Sequence, residues 1–246
     1  MGTDTDVMIR KLDSIAELSD RDRQALAALP LRLKDLRPDE DVVREGDAPS
    51  VSCLLLDGFM HRYKVLPDGK RQILAIHTPG DIPDLQSLFL RHLDHSLAAL
   101  SPCKVGFIPH EDLRAVLRSS PGLAEALWRD TLIDAAIFRA WITGLGQRSA
   151  HGHLAHVLCE VFTRLRAVGL TQDHACSLPF TQTELGDALG LSTVHVNRTL
   201  QALRGEGLIT LERGRLTILD WAGLQEVAQF DPAYLHLHLR APARAA

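Results

Sequence analysis

The apolar residues of this chain change period near His110, and that change divides it into a β-rich front and a helical rear. From Leu31 to about Ile108, short apolar runs are separated by turn signals, among them RPDED, EGDAPS, LDG, LPDGK, TPGD and SPCK. Turns recurring at this short spacing predict an all-β roll or barrel. In YKVLPDGKRQILAI, Pro67-Asp68-Gly69 fits a hairpin turn, because Pro presets φ and Gly accepts a positive one. Gly46 and Gly58 suit further turns for the same reason. Ahead of the roll, Leu12, Ile15, Leu18, Leu26 and Leu29 recur at helical spacing and predict one or two short helices over residues 10–29.

From His110 onward the period is helical. HEDLRAVLRSS predicts a short helix closed by Pro121, and residues 122–147 predict a long one. The long helix carries Leu132, Ile133, Ala135, Ala136, Ile137, Phe138, Trp141 and Ile142 around more than one side. One stripe suffices to pack on the roll, so the second face needs another partner. The economical partner is the same helix of a second copy about a twofold axis, with Leu127, Phe138, Trp141 and Leu145 as the expected contacts. Gly144, Gly146 and Gly152 flank QRSAH, so this helix is expected to end near Gly146, with a hinge before HLAHVLCEVFTRLRAV.

The third segment is LPFTQTELGDALGLSTVHVNRTLQALRGEGLITLERGRLTILD, residues 178–220. Thr181 and Glu184 form the T-x-x-E of a capping box, Gly190 permits a tight turn, Ser192 is the expected N-cap of the next helix, and Gly205 or Gly207 stops it. Two helices joined by a short glycine-containing turn make a helix-turn-helix. The strand, Arg213-Gly214 turn and strand that follow supply a wing. On the second helix Val196, Leu200 and Leu203 share one face, and Val194, Asn197, Arg198 and Gln201 share another. Arg donates two hydrogen bonds to guanine and Asn pairs with adenine, so Asn197 and Arg198 suit base edges in a major groove, and Val194 suits a thymine methyl. Thr193 beside the cap and Arg213 at the wing tip complete the contacts expected there.

Composition bounds the remaining alternatives. The net charge of −4 argues against a protein that simply coats nucleic acid, so any DNA contact is local. Cys53, Cys103, Cys159 and Cys176 form no CxxC pair, which predicts reduced core thiols. The first residues lack a signal-peptide apolar region and no run is long enough to span a membrane; a cytoplasmic protein with no membrane partner is expected. The twelve histidines include His92-x-x-His95 and His153-x-x-His156, but no acidic or thiolate partner sits at a fixed offset, so no metal site is assigned. A cupin-like metalloenzyme would need clustered ligands on adjacent strands. His61 and His77 are isolated, no nucleophile–base set is visible, and no enzyme is expected.

In this order, REGDAPSVSCLLLDGFMHRYKVLPDGKRQILAIHTPGD, the long helix and FTQTELGDALGLSTVHVNRTLQALRGEGLI resemble the Crp/Fnr family of bacterial transcription regulators, over about residues 20–225. The resemblance implies an α+β architecture: a cyclic-nucleotide-binding-like β-roll with flanking helices (residues 1–120), a dimerisation helix (121–148), a winged helix-turn-helix (149–230) and a tail (231–246). It implies a homodimer on a near-palindromic double-stranded DNA site, with RNA polymerase as a further partner. By position, Arg198 matches the family's base-reading arginine, and Thr181 and Thr183 fall where phosphate contacts are usual. Val194 and Asn197 depart from the familiar readers, so a different half-site is expected.

The effector region departs further. After Gly80 no G-E-L follows, and His95-Ser96 stands about where cyclic-nucleotide-binding members have Arg-Ser. Without that guanidinium the bidentate phosphate contact is lost, so a signal other than cAMP is expected. The cysteine cluster of the oxygen-responsive members is missing near the N-terminus. The effector pocket is expected among His77, Asp81, Asp84, Arg91, His92, His95 and Ser96, and no cofactor is named. The alternative is a haem- or metal-binding sensor that acts mainly through protein contacts and keeps a vestigial reader.

Overall fold

The computed structural model describes residues 4–238. Two short helices, α1 (Asp6–Asp13) and α2 (Asp20–Ala27), precede the roll. Ser19 and Asp22 close a capping box on α2, and Asp22 also accepts the hydroxyl of Ser120, which caps the long helix. One carboxylate thus fixes the starts of two helices far apart in the chain.

The roll consists of β1 (Arg32–Leu36), β2 (Asp41–Val43), β3 (Val51–Asp57), β4 (Met60–Val65), β5 (Arg71–His77), β6 (Ser96–Ala99) and β7 (Cys103–Pro109). They form two antiparallel sheets, ordered β1-β7-β3 and β2-β6-β4-β5. The predicted hairpin joins β4 to β5, with Gly69 at φ +84° and its amide on Leu66 O at 2.8 Å. At Gly58, also at φ +84°, a Cβ would collide with the Pro102 carbonyl, so only glycine fits that turn. Between the sheets, Cys53, Leu55, Met60, Leu97, Ala99 and Val105 form a closed apolar core.

Helix α3 (His110–Ser119) leads into α4 (Pro121–Gln147), which starts with Ser120 as N-cap and Pro121 in its first turn. Inward residues of α4, including Leu123, Leu127, Ile133, Ile137 and Trp141, pack on the roll and on α5 (Ala150–Ala167). The two helices break at Arg148 and Ser149, and Ser149 caps the second. Among the described residues no helix is long and apolar enough to cross a membrane.

The rear unit contains β8 (Ala175–Ser177), α6 (Gln182–Leu189), α7 (Thr193–Gly205), β9 (Ile209–Glu212), β10 (Arg215–Ile218) and α8 (Trp221–Ala228). The wing is a three-stranded sheet, β8-β10-β9; its strand β8 has no marker in the sequence reading. Beyond α8 the chain does not trail away as a tail. Pro232–Leu235 forms a 3₁₀ turn packed against α4, because Leu235 and Tyr234 have apolar surface to bury there. Residues 239–246 of the expected tail, and residues 1–3, lie outside the described residues.

Candidate nucleic-acid interface and sensor cavity

Thr181 and Glu184 form the predicted capping box at the start of α6: Oγ1 accepts from Glu184 N at 3.2 Å and the carboxylate accepts from Thr181 N at 2.6 Å. Gly190 ends that helix in the left-handed region at φ +68°. Ser192 then caps α7 by accepting from His195 N at 3.3 Å. Val196, Leu200 and Leu203 are buried and seat α7 on α6, while Asn197, Arg198 and Gln201 are exposed and Val194 is 79% exposed. Among the described residues, no side-chain hydrogen bond or ion pair occupies Asn197, Arg198 or Gln201. At the wing tip Arg213 and Gly214 both have positive φ, +48° and +74°, as a type I′ hairpin turn requires. Arg213 is exposed there, and Thr183, Ser192 and Thr193 are exposed around the helix starts.

The roll docks on this unit through its β4–β5 hairpin. Arg71 Nε donates to Asp187 at 2.8 Å, the Gln72 amide donates to Asp187 O at 2.8 Å, and Phe59 meets Phe180 edge-on at 4.9 Å. The contact falls on α6 and leaves α7 open.

A cavity lies where the roll, α1, α4, α5 and the C-terminal segment meet. Only about 50 Å³ of it is reachable by the centre of a water molecule, room for a few waters. Its charged walls are mutually paired. Lys11 Nζ lies 2.5 Å from Asp81 and 2.9 Å from Asp130, Arg164 lies 2.5 Å from Asp81, and Arg62 lies 2.5 Å from Asp134. Burial opposes ionisation of Asp81, but the Lys11 and Arg164 charges outweigh it and hold its carboxyl well below the usual range. Burial and the nearby Arg62 charge depress His77 to about 4; its Nδ1 lies 3.4 Å from Asp81 and its Nε2 has no partner.

The structure divides the expected effector set. His77 and Asp81 line the cavity; the other five do not. Asp84 is buried but accepts the Cys53 amide at 2.7 Å, and burial pushes it up to about 7. Arg91 lies on a separate surface groove, and His92 is exposed with Nδ1 on Gly46 O. His95 bonds Asp94 and Gln86, and Ser96 accepts the Glu45 amide. These five stand outside this cavity, although His95 bonds Gln86, which lines it. In their place stand Lys11, Arg62, Asp130, Asp134 and Arg164. Asp130 and Asp134 lie at i and i+4 on α4 and Arg62 lies in β4, but both elements carry other charged residues, so the sequence did not single these out.

On the long helix the four expected contacts divide. Leu127 and Trp141 are buried in the chain's own core, Trp141 Nε1 donating to Glu160 at 3.2 Å. Phe138 is half-buried with Arg62 5.6 Å from its ring centroid, and Leu145 is exposed. The exposed large apolar residues of α4 are Trp128, Leu132, Ile142 and Leu145, with Ala135 half-buried between them and Trp128 66% exposed. The histidines of HGHLAH face inward or toward Glu206, and His156 stacks on Tyr234 with ring centroids 5.8 Å apart. Among the described residues no three His, Cys, Asp or Glu are grouped to hold a metal ion.

Two family models match consecutive parts of the chain: the cyclic nucleotide-binding domain over residues 33–120 and the Crp-like helix-turn-helix domain over residues 152–227. The chain belongs to the Crp/Fnr family of transcriptional regulators. It is 29% identical over 191 residues to the nitrogen fixation regulation protein FixK of Bradyrhizobium diazoefficiens, covering 77% of this chain and 78% of that one. The transcriptional activator protein FnrA of Stutzerimonas stutzeri is 26% identical over 211 residues, 86% of each chain. The structure of FixK2 from Bradyrhizobium japonicum superposes with a TM-score of 0.73 at 24% identity, over 81% of this chain and 98% of that one, a likeness of fold. As a Crp/Fnr regulator the chain is a sequence-specific DNA-binding protein, and its family consists of transcription factors rather than enzymes.

Proposed function

We propose that this Crp/Fnr regulator acts in the cytoplasm as a homodimer on a near-palindromic site, one α7 in the major groove of each half-site, and works with RNA polymerase at promoters. The observation that carries this is the unpartnered, exposed strip Val194, Asn197, Arg198 and Gln201 on a helix rigidly seated by Val196, Leu200 and Leu203. Arg198 and Asn197 read base edges, Gln201 and Val194 adjoin them, and Thr181, Thr183, Ser192, Thr193 and Arg213 face the phosphates. Thr181 contributes chiefly through the cap that fixes the start of α6, since its hydroxyl and its amide both already bond Glu184.

The partner helix packs along Trp128, Leu132, Ala135 and Ile142, whose spacings of four, three and seven follow a coiled-coil seam interrupted at Arg139. The roll cavity is the sensing site, and cAMP is disfavoured because its three cations already hold carboxylates. Selection of binding sites from random duplexes with the purified protein tests the reading. An enriched inverted repeat supports it, and recovery of unrelated sequences refutes it. Sedimentation of Trp128→Glu separately tests the dimer seam, with a shift to monomer expected.

A further inference from the structure

Resting on the reading of the cavity as the sensing site, we propose that the chain's own segment Pro232–His238 is a tethered occupant of that site, holding the DNA-binding unit ready to read without a diffusible effector. The segment leaves α8 through Gln229 in the left-handed region and runs back across the molecule. Leu235, 2% exposed, and Leu237 form part of the cavity wall. His238 N donates to Ser14 O at 2.6 Å, so the strap reaches from the end of the DNA-binding unit to the helix that opens the chain.

Its anchor is chemical as well as apolar. Tyr234 Oη donates to Glu160 at 2.7 Å, and the ring stacks on His156 and meets Phe230 edge-on. The same fully buried Glu160 carboxylate accepts from Trp141 on α4 and lies 3.5 Å from Arg164 on α5. Arg164 continues to Asp81 of the roll. One hydroxyl therefore feeds a polar chain joining the strap, both helices of the hinge and the roll. Removing it leaves a buried carboxylate short of a donor at the point where α4 and α5 are held together.

Direction follows from what stays exposed. With the strap seated, the α7 strip is open and so is the α4 line of Trp128, Leu132 and Ile142. The strap therefore fixes an arrangement compatible with reading and pairing rather than covering either surface. A tethered segment is present at an effective concentration far above that of most free ligands, and by favouring one arrangement it shifts the population toward it. Regulation then acts by displacing or removing the strap.

The test compares full-length protein, a truncation ending at Asp231, Tyr234→Phe and the double variant Leu235→Ala/Leu237→Ala, each measured on the selected duplex. Hydrogen exchange over residues 144–152 is followed in parallel. The truncated protein is expected to stay folded by circular dichroism, lose tenfold or more in specific affinity and exchange faster at the hinge. Added peptide of sequence 231–238 restores part of both, and Tyr234→Phe gives a several-fold loss. A folded truncation with unchanged affinity and exchange overturns the proposal, as does one that binds more tightly. If the truncation does not fold, wild-type affinity in both Tyr234→Phe and the double-leucine variant overturns it. Failure of the underlying reading looks different: the full-length protein itself then selects no site.

Discussion

Helix α7 and the cavity between the roll and the helices place their polar groups in opposite ways. On α7, Asn197, Arg198 and Gln201 stand in solvent with their hydrogen-bond capacity unused. In the cavity, Lys11, Arg62, Asp81, Asp130, Asp134 and Arg164 satisfy one another in a nearly filled space. A surface with free donors on a rigid element is preorganised for a foreign partner, whereas a buried set of mutually paired charges resists one, since a ligand must first break pairs that replaced water. The first is an open interface, and the second behaves as a joint between roll and helices.

The sharpest way to separate the two is to break one at a time. Asp81→Ala leaves Lys11 and Arg164 without their shared carboxylate, and a loss of about 3–5 kcal/mol in urea-unfolding stability is expected. The folded fraction should keep its sequence preference. Acidification probes the buried side without a substitution. His61, His77, His153 and His156 are held near a pKa of about 4, first by burial and then by neighbouring positive charge. Between that value and their unfolded value of about 6.5 the unfolded chain binds more protons, so stability is full above about 6.5 and falls as pH drops toward 4. The loss is on the order of 1–3 kcal/mol per histidine, and Asp84, raised to about 7, opposes part of it. Thermal melts across that window check it; a flat profile breaks the account.

The reading side should respond in the converse way. Arg198→Ala should lose about 1–3 kcal/mol of specific binding per half-site while weak, salt-sensitive binding persists. Its melting temperature should stay at the wild-type value, because the exposed side chain makes no hydrogen bond or ion pair within the fold. Competition between the selected duplex and a scrambled one measures this, and retained preference refutes the assignment. The smallest effect is expected from Thr181→Ala, which removes one half of the α6 cap and should cost about 1 kcal/mol of stability.

Local chemistry made the reader legible. Thr181, Glu184, Gly190 and Ser192 act within a few residues of one another, so their spacing already encodes caps, turn and the two faces of α7. The same holds for the hairpin at Pro67-Asp68-Gly69. The cavity was legible only in part: of seven expected residues, His77 and Asp81 reach it. Its other charges come from α1, β4, α4 and α5, and no local pattern states that Lys11 and Arg164 share a carboxylate about 70–83 positions away from each. The α4 seam shows a milder version of the problem. Its apolar residues were visible, but which of them face inward depends on how the roll and α5 sit against the helix, so Trp141, expected at the contact, is buried while Trp128, given no role by the sequence, is exposed.

By itself the sequence determined the α+β order of parts, the caps and turns, and the two faces of the reading helix, because these depend on short-range backbone chemistry and periodicity. Tertiary structure alone decided how the buried charges pair, which apolar side of α4 stays exposed, and that residues 232–238 return to the front of the molecule. Those outcomes rest on burying apolar surface and matching charges across long sequence separations, where the energy belongs to the assembled arrangement rather than to any local stretch.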